Sequence, residues 1–398
     1  MTTSMGRQPS SNIARTLFIF AVLVLVLAAL VWQAPKVSQR LSTLGLGDYI
    51  AYWSAGRVLA DGGNPYSPRE LLAVQQAQGW ADDWPNIMYY PPWALALVLP
   101  FGLLPFWVSR LVWLVTGLVI TIWSADRAWI YYGGQEQKRM IAWLIALSFV
   151  PTLMVLRIGQ IAPWLLLGTI GFMEAERRRA DWLAGAAFAL TTIKPHLMFL
   201  FGLTVLVWCI AQRRWKILAG SMVAAGLATA LACWRDPNVF LHYQQFAVSN
   251  PPFGNVTPTI GGMLRVLFGE RRIWLQFVPT AIALLWFPIY WHGRRKNWHW
   301  EEQASLLILI SFVATAYGAW PFDLVVLLVP LIQAAVRLSR DGSMAAMAGG
   351  VAAYVLIDGT ALLLNVAGAR YPAFIWMTPA IWLSYWVAMR PRGRVSPA

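Results

Sequence analysis

Long apolar runs, separated by short polar or basic clusters, recur along the whole chain. A helix needs about 20 apolar residues to cross the roughly 30 Å hydrocarbon core of a bilayer. Helices also satisfy every backbone donor and acceptor there without leaving an open edge. The pattern predicts an all-α integral membrane protein with about twelve spans, at 14–33, 107–124, 141–156, 161–174, 182–193, 195–211, 217–234, 273–291, 303–320, 322–336, 344–365 and 373–389. The fourth, fifth and tenth are short for a full crossing, and read as tilted or partly merged with their neighbours. Residues 1–398 thus form one polytopic membrane domain. Two segments, 34–106 and 235–272, are too long to be simple connectors, and connections of that length are usually functional. In the first, the apolar stretch Trp93–Leu104 ends at Pro105 and is short for a span. It predicts a helix lying along the membrane surface.

Composition supports this picture. Of 398 residues, 59% are hydrophobic and only 12% charged, whereas soluble domains carry about 25% charged residues. A cytosolic enzyme, a disulfide-stapled secreted domain and a disordered tail are excluded. The net charge of +14 does not point to nucleic acid, because no continuous basic face emerges. The cations sit instead in clusters between apolar runs, such as Arg177-Arg178-Arg179, Arg213-Arg214 and Arg294-Arg295-Lys296. With the N-terminus in the cytoplasm, 19 of the 31 basic residues fall on the short inner segments, as the positive-inside rule requires. Both termini are therefore expected inside, in a plasma (inner) membrane, with the two long segments on the outer side. The 24 tryptophans fit the interfacial belts. Cys209 and Cys233 fall inside apolar runs and build neither a disulfide framework nor a metal motif. The first apolar run follows Arg7 and Arg15 like a signal peptide, but Trp32 is too bulky for the −3 position of a cleavage before Pro35. It reads as an uncleaved anchor.

Candidate chemistry concentrates in the outer segments. Asp48 follows the first span by about a dozen residues. On a helix, Tyr52 would lie one turn on and share its face, while Arg57 would point away. Gly62-Gly63-Asn64-Pro65 stops that helix. The plain reading of Asp48 is a helix cap or a surface carboxylate. The functional one is a displayed acid–base group. Lys194 and His196 flank Pro195 at a predicted outer turn, and Arg157 stands near Gln160 at another. A lysine between apolar helices either meets an anion or snorkels to the headgroups, and the spacing leaves both open. Asp323, after Trp320-Pro321-Phe322, is either a sugar- or cation-binding carboxylate or a helix cap. The four histidines are scattered, and Asp82-Asp83 reads as a solvated pair. No metal site is assigned, and a divalent cation is left open. No phosphate-binding glycine loop occurs, and the cytoplasmic loops are too short to house a nucleotide-binding domain.

The stretches GDYIAYWSAGRVLADGGNPYSP and YYPPWALALVLPFGLLP, then Arg157-Ile158-Gly159-Gln160, RRRADWLAGAAFALTTIKPH and AYGAWPFDLVVLLVP, resemble glycosyltransferase family 87. That family consists of polytopic enzymes of the C-type glycosyltransferase superfamily and includes polyprenyl-phosphate-dependent mannosyltransferases. The resemblance spans most of the first 335 residues and is most specific around Asp48. It implies transfer of one hexose, mannose favoured, from a polyprenyl-phosphate donor to a glycolipid or glycan hydroxyl on the outer face. It also implies Asp48 as the catalytic carboxylate. Tyr52, Arg57, Tyr90, Arg157, Gln160, Lys194, His196 and Asp323 are the candidate substrate-binding residues. The alternatives are a lipid-carrier transporter or flippase, or an oligosaccharide ligase or polymerase. The partners expected are the donor, the acceptor and the bilayer, with no nucleic acid.

Overall fold

A computed structural model of the chain describes residues 46–251 and 256–390. The predicted first span, 14–33, lies outside the described residues, as do the last two C-terminal arginines. Among the described residues every regular element is helical. The first long segment folds as α1 (Tyr49–Ala60), α2 (Pro68–Gln76) and α3 (Leu95–Gly102). Then come α4 (Phe106–Tyr131), α5 (Met140–Ser148), α6 (Val150–Ile158) and α7 (Ala162–Arg177). These are followed by α8 (Asp181–Thr191), α9 (Phe199–Ala211) and α10 (Trp215–Arg235). The second long segment holds α11 (Val239–Ser249) and α12 (Ile260–Phe268). The chain continues through α13 (Val278–Arg294), α14 (Trp300–Ala314) and α15 (Leu328–Asp341). It closes with α16 (Met344–Val366) and α17 (Met377–Met389).

Among the described residues, five stretches are long and apolar enough to cross a membrane: Phe106–Tyr131, Trp215–Arg235, Ile273–Arg294, Pro321–Arg340 and Met344–Val366. A sixth is the pair Glu136–Ser148 and Val150–Ile158, bent by 55°. The bend follows from Pro151 in the first turn of α6, which has no N–H to continue the preceding helix. Asp358 of α16 accepts the Val150 N–H freed there, at 2.8 Å. Each predicted span within the described residues contains helix, but 303–320 is helical only as far as Ala314 and 195–211 only from Phe199. α7, α8, α9, α14 and α17, however, have only 11 to 16 residues each. At about 1.5 Å per residue, each is shorter than the hydrocarbon core. The chain is an integral membrane protein, all-helical among the described residues.

The turn chemistry read from the sequence holds. Gly62 takes a left-handed φ of +80° just after α1. α2 starts with Ser67 accepting from Glu70 N–H, while the Glu70 carboxylate accepts from Asn64 N–H at 3.1 Å. The Trp93–Leu104 stretch is α3 with a leading 3-10 turn, Pro92–Ala94, and packs against α1 and α10. α1 and α3 cross at Gly56 and Gly102. A Cβ on Gly102 would sit 2.2 Å from the Gly56 carbonyl carbon, so only glycines allow this approach.

Candidate active site

The site begins where the ends of two helices meet. Gly47, just before α1, has φ +57°, and a Cβ there would lie 2.6 Å from Ile158 O. Gly159 closes α6 in the left-handed conformation, φ 78° and ψ 35°, as helix-ending glycines do. A Cβ on it would reach within 2.6 Å of Tyr49 Cβ. Arg110 of α4, buried, fastens the junction. It donates to Leu46 O at 2.7 Å and to Arg157 O at 2.8 Å. Trp113 Nε1 donates to Gly159 O at 2.9 Å. These contacts set Asp48, at the start of α1, against Gln160, at the end of α6.

Asp48 occupies the N-cap position of α1 but its side chain makes no cap bond. Its Oδ2 accepts from Gln160 Nε2 at 2.6 Å, and its Oδ1 accepts from Asn86 Nδ2 at 3.3 Å. Gln160 Oε1 in turn accepts from Tyr52 OH at 2.7 Å, Lys194 Nζ at 3.1 Å and Tyr90 OH at 3.5 Å. Tyr52 and Tyr90 hydroxyls lie 3.1 Å apart. Lys194 donates to Asp323 Oδ1 at 2.6 Å, and Trp320 N–H donates to Asp323 Oδ2 at 3.2 Å. One chain of hydrogen bonds therefore runs from Asp48 through Gln160 and Lys194 to Asp323. It joins groups 275 positions apart in the sequence.

Electrostatics follow from burial. Lys194 and Asp323 are 3% and 1% exposed, so the lysine meets a carboxylate rather than snorkelling. Burial pulls the Lys194 ammonium down, but Asp323 and Tyr90 outweigh it and hold it above the ordinary lysine range. The Tyr90 ring lies 5.2 Å from Lys194 Nζ. Burial pushes the Tyr52 and Tyr90 hydroxyls up. Asp323 combines both roles read from the sequence, since one oxygen caps its helix and the other pairs with Lys194. Tyr66 OH donates to Tyr90 O at 2.9 Å, and its ring packs on Tyr243 and Phe246 of α11. The second long segment thus braces the first.

Among the sequence candidates, the structure brings together Asp48, Tyr52, Tyr90, Gln160, Lys194 and Asp323. His196 is half-buried beside Tyr317, with ring centroids 6.0 Å apart, two positions after Lys194 in the sequence. Arg57 lies apart, exposed and paired with Asp61 at 3.0 Å. Arg157 stands at the rim, exposed, and its guanidinium has no hydrogen-bond or ion-pair partner among the described residues. Two residues that the sequence analysis did not single out also belong here. Asn86 contacts Asp48 directly. Tyr371, from the turn between α16 and α17, is pushed up by burial and by Asp48, with Arg157 acting against them. Its ring packs on Trp320 at 5.2 Å and Phe322 at 5.7 Å. Asn86 carries no sequence signal, being one polar residue in a polar loop. An aromatic in a predicted outer turn was the one clue to Tyr371.

The arrangement can take up a proton at Asp48 and present aromatic walls and one unpaired cation beside it. Asp82 and Asp83 are exposed. Among the described residues no group of three or more His, Cys, Asp or Glu side chains is placed to hold a metal ion. Cys209 and Cys233 are free thiols.

Compared with known proteins, residues 89–316 match the family model described as Glycosyltransferase family 87. Tyr90, Arg157, Gln160, Lys194 and His196 lie within the matched stretch, Asp48 and Tyr52 precede it, and Asp323 and Tyr371 follow it. No curated protein and no solved structure matches the chain.

Proposed function

The chain belongs to glycosyltransferase family 87, and from that premise we propose that it moves one hexose, mannose favoured by the family resemblance, from a polyprenyl-phosphate donor to a hydroxyl of a glycolipid or glycan. The reaction takes place on the outer side of the plasma membrane. Residues 1–398 act as one membrane unit with about twelve spans, a C-type architecture and both termini in the cytoplasm. The segments 34–106 and 235–272 face outward. The distribution of basic residues supports this orientation.

The observation that carries the reading is the state of Asp48. It sits at a helix start without capping the helix, held by a side-chain amide and half open to solvent. An acceptor hydroxyl is a weak nucleophile, and a positioned carboxylate can remove its proton as it attacks, a contribution of about 10²–10⁴-fold. The acceptor oxygen forms a bond to the anomeric carbon while the bond from that carbon to the phosphate oxygen breaks. The electron pair leaves with polyprenyl phosphate, and the hydroxyl proton moves to Asp48 and later to water. A single base and direct displacement imply inversion. A retaining mechanism needs a second carboxylate as nucleophile close to the first, and Asp323 is committed to Lys194. Negative charge grows on the leaving phosphate, so a cation should face it. Arg157, unpaired at the rim, is available for this, while the charge of Lys194 is already answered by Asp323. Tyr52, Tyr90 and Tyr371 are walls for the sugar.

The test is a mass-spectrometric comparison of membrane glycolipids and surface glycans from cells with and without the gene. A product one hexose lighter in the deletion, restored by the gene, names the acceptor. Unchanged glycans, with solute uptake into proteoliposomes and no new glycosidic bond, would move the reading to transport.

A further inference from the structure

The hydrogen bonds around Gln160 fix more than its position. An amide has one carbonyl oxygen that only accepts and one NH₂ that only donates. Lys194 has donors and no acceptor, so the Gln160 atom facing it must be the oxygen. Tyr52 OH reaches that same oxygen at 2.7 Å. The NH₂ is therefore left for Asp48, whose Oδ2 accepts it at 2.6 Å. Lys194 is itself held by Asp323 at 2.6 Å, so it cannot swing away from the amide without leaving a buried carboxylate unpaired. A reversed amide would set its NH₂ against an ammonium and its oxygen against a carboxylate. The orientation is unique, and it is dictated from Asp323, two hydrogen bonds beyond Gln160.

The two Asp48 oxygens are consequently unequal. Oδ2 already accepts a short bond, 2.6 Å, from a locked donor. Among the described residues, Oδ1 has only the long 3.3 Å contact from Asn86. Resting on the reading of Asp48 as the base, we infer that Gln160 and Lys194 are positioning residues for Asp48, and that Oδ1 is the oxygen that receives the acceptor proton. The substrate hydroxyl then approaches from the Asn86 side, opposite Gln160. Both residues look from sequence like direct substrate contacts, and the geometry assigns them a different task.

The experiment uses the purified full-length protein in lipid nanodiscs. The donor is a synthetic short-chain polyprenyl-phosphate mannose, and the acceptor is a total lipid extract from membranes lacking the protein. Gln160→Leu is expected to lower kcat about a hundredfold, since an ångström of misplacement is enough for that. The donor KM should stay within about threefold, because no ground-state contact is lost. K194M/D323L removes the lock without stranding a buried charge. It should lower kcat about tenfold by letting the amide turn, again with donor KM nearly fixed.

Gln160→Glu supplies a signature that mere packing would not. The new carboxylate would face Asp48, and two carboxylates in contact share one proton. The acidic limb of the rate profile should then move to higher pH. The groups around that position are Asp48, Tyr52, Tyr90, Lys194 and Asp323, with Arg157 and Tyr371 at the rim. A donor KM that rises with kcat unchanged in Gln160→Leu or K194M/D323L would overturn the inference and make these residues substrate contacts. An unshifted pH limb in Gln160→Glu would overturn it as well. Asp48→Asn assayed in parallel separates the two levels. If that variant transfers sugar normally, the reading of Asp48 itself falls. If it is dead while Gln160→Leu is normal, only the positioning role falls.

Discussion

The two ends of α4 and α15 treat charge in opposite ways. Near Arg110 and Asp323, charged and polar side chains from distant parts of the sequence are joined into one buried chain, and a carboxylate and an ammonium sit almost fully out of solvent. At the far ends of the same helices lies a cavity of about 450 Å³, lined by Tyr132, His299, Glu301, Glu302, Arg337 and Arg340 among others. Among the described residues no ion pair links its two glutamates to its two arginines. Charges at the first end depend on one another because water cannot replace a lost partner. At the second, Glu301, Glu302 and Arg340 are exposed and Arg337 is half-buried, donating to Arg390 O at 3.3 Å. The buried hydrogen bonds lining the far cavity join neutral groups, Tyr132 with Ser305 and Gln333 with Tyr385, whereas the first end interlocks an ammonium and two carboxylates.

That contrast can be broken by mutation. Lys194→Met alone, or Asp323→Leu alone, strands its partner in a dry environment and should destabilise the protein by about 3–5 kcal/mol. K194M/D323L should recover most of that loss. Thermal unfolding of the detergent-solubilised variants checks it, and strict additivity of the single changes would show that the pair is not coupled. At the far end the expected effect is much smaller. Glu301→Gln, Glu302→Gln, Arg337→Gln and Arg340→Gln should each change stability by no more than about 0.5 kcal/mol, with transfer rates unaltered. A large loss from any of them would blur the distinction between the ends.

Much of the fold was legible because it rests on patterns the chain repeats. Apolar runs of helical length, basic clusters between them and Gly-Gly-Asn-Pro after α1 are local signals, and each predicted span within the described residues contains helix. The lengths were less legible. α17 is shorter than its apolar run because the 3-10 turn Tyr371–Phe374 takes up its start, and α14 ends at Ala314, short of its run, which tertiary packing decides. The site was half legible. Asp48 and Tyr52 could be paired from the turn spacing of one helix. The link from Asp48 to Gln160 depends on two glycines, Gly47 and Gly159, that let separate helix ends touch, and no periodicity encodes that meeting. Lys194 was recognisable as an uncompensated cation, but its partner lies 129 positions away. Tyr371 and Asn86 are ordinary residues made relevant only by what folds against them.

The account turns on Asp48 acting as the base in sugar transfer. The direct measurement is the rate at which purified wild-type protein and Asp48→Asn transfer a labelled hexose from a polyprenyl-phosphate donor, at equal protein level and equal thermal stability. The account predicts that Asp48→Asn loses at least a hundredfold in rate, within the range a positioned general base contributes. Transfer by that variant at the wild-type rate would contradict it.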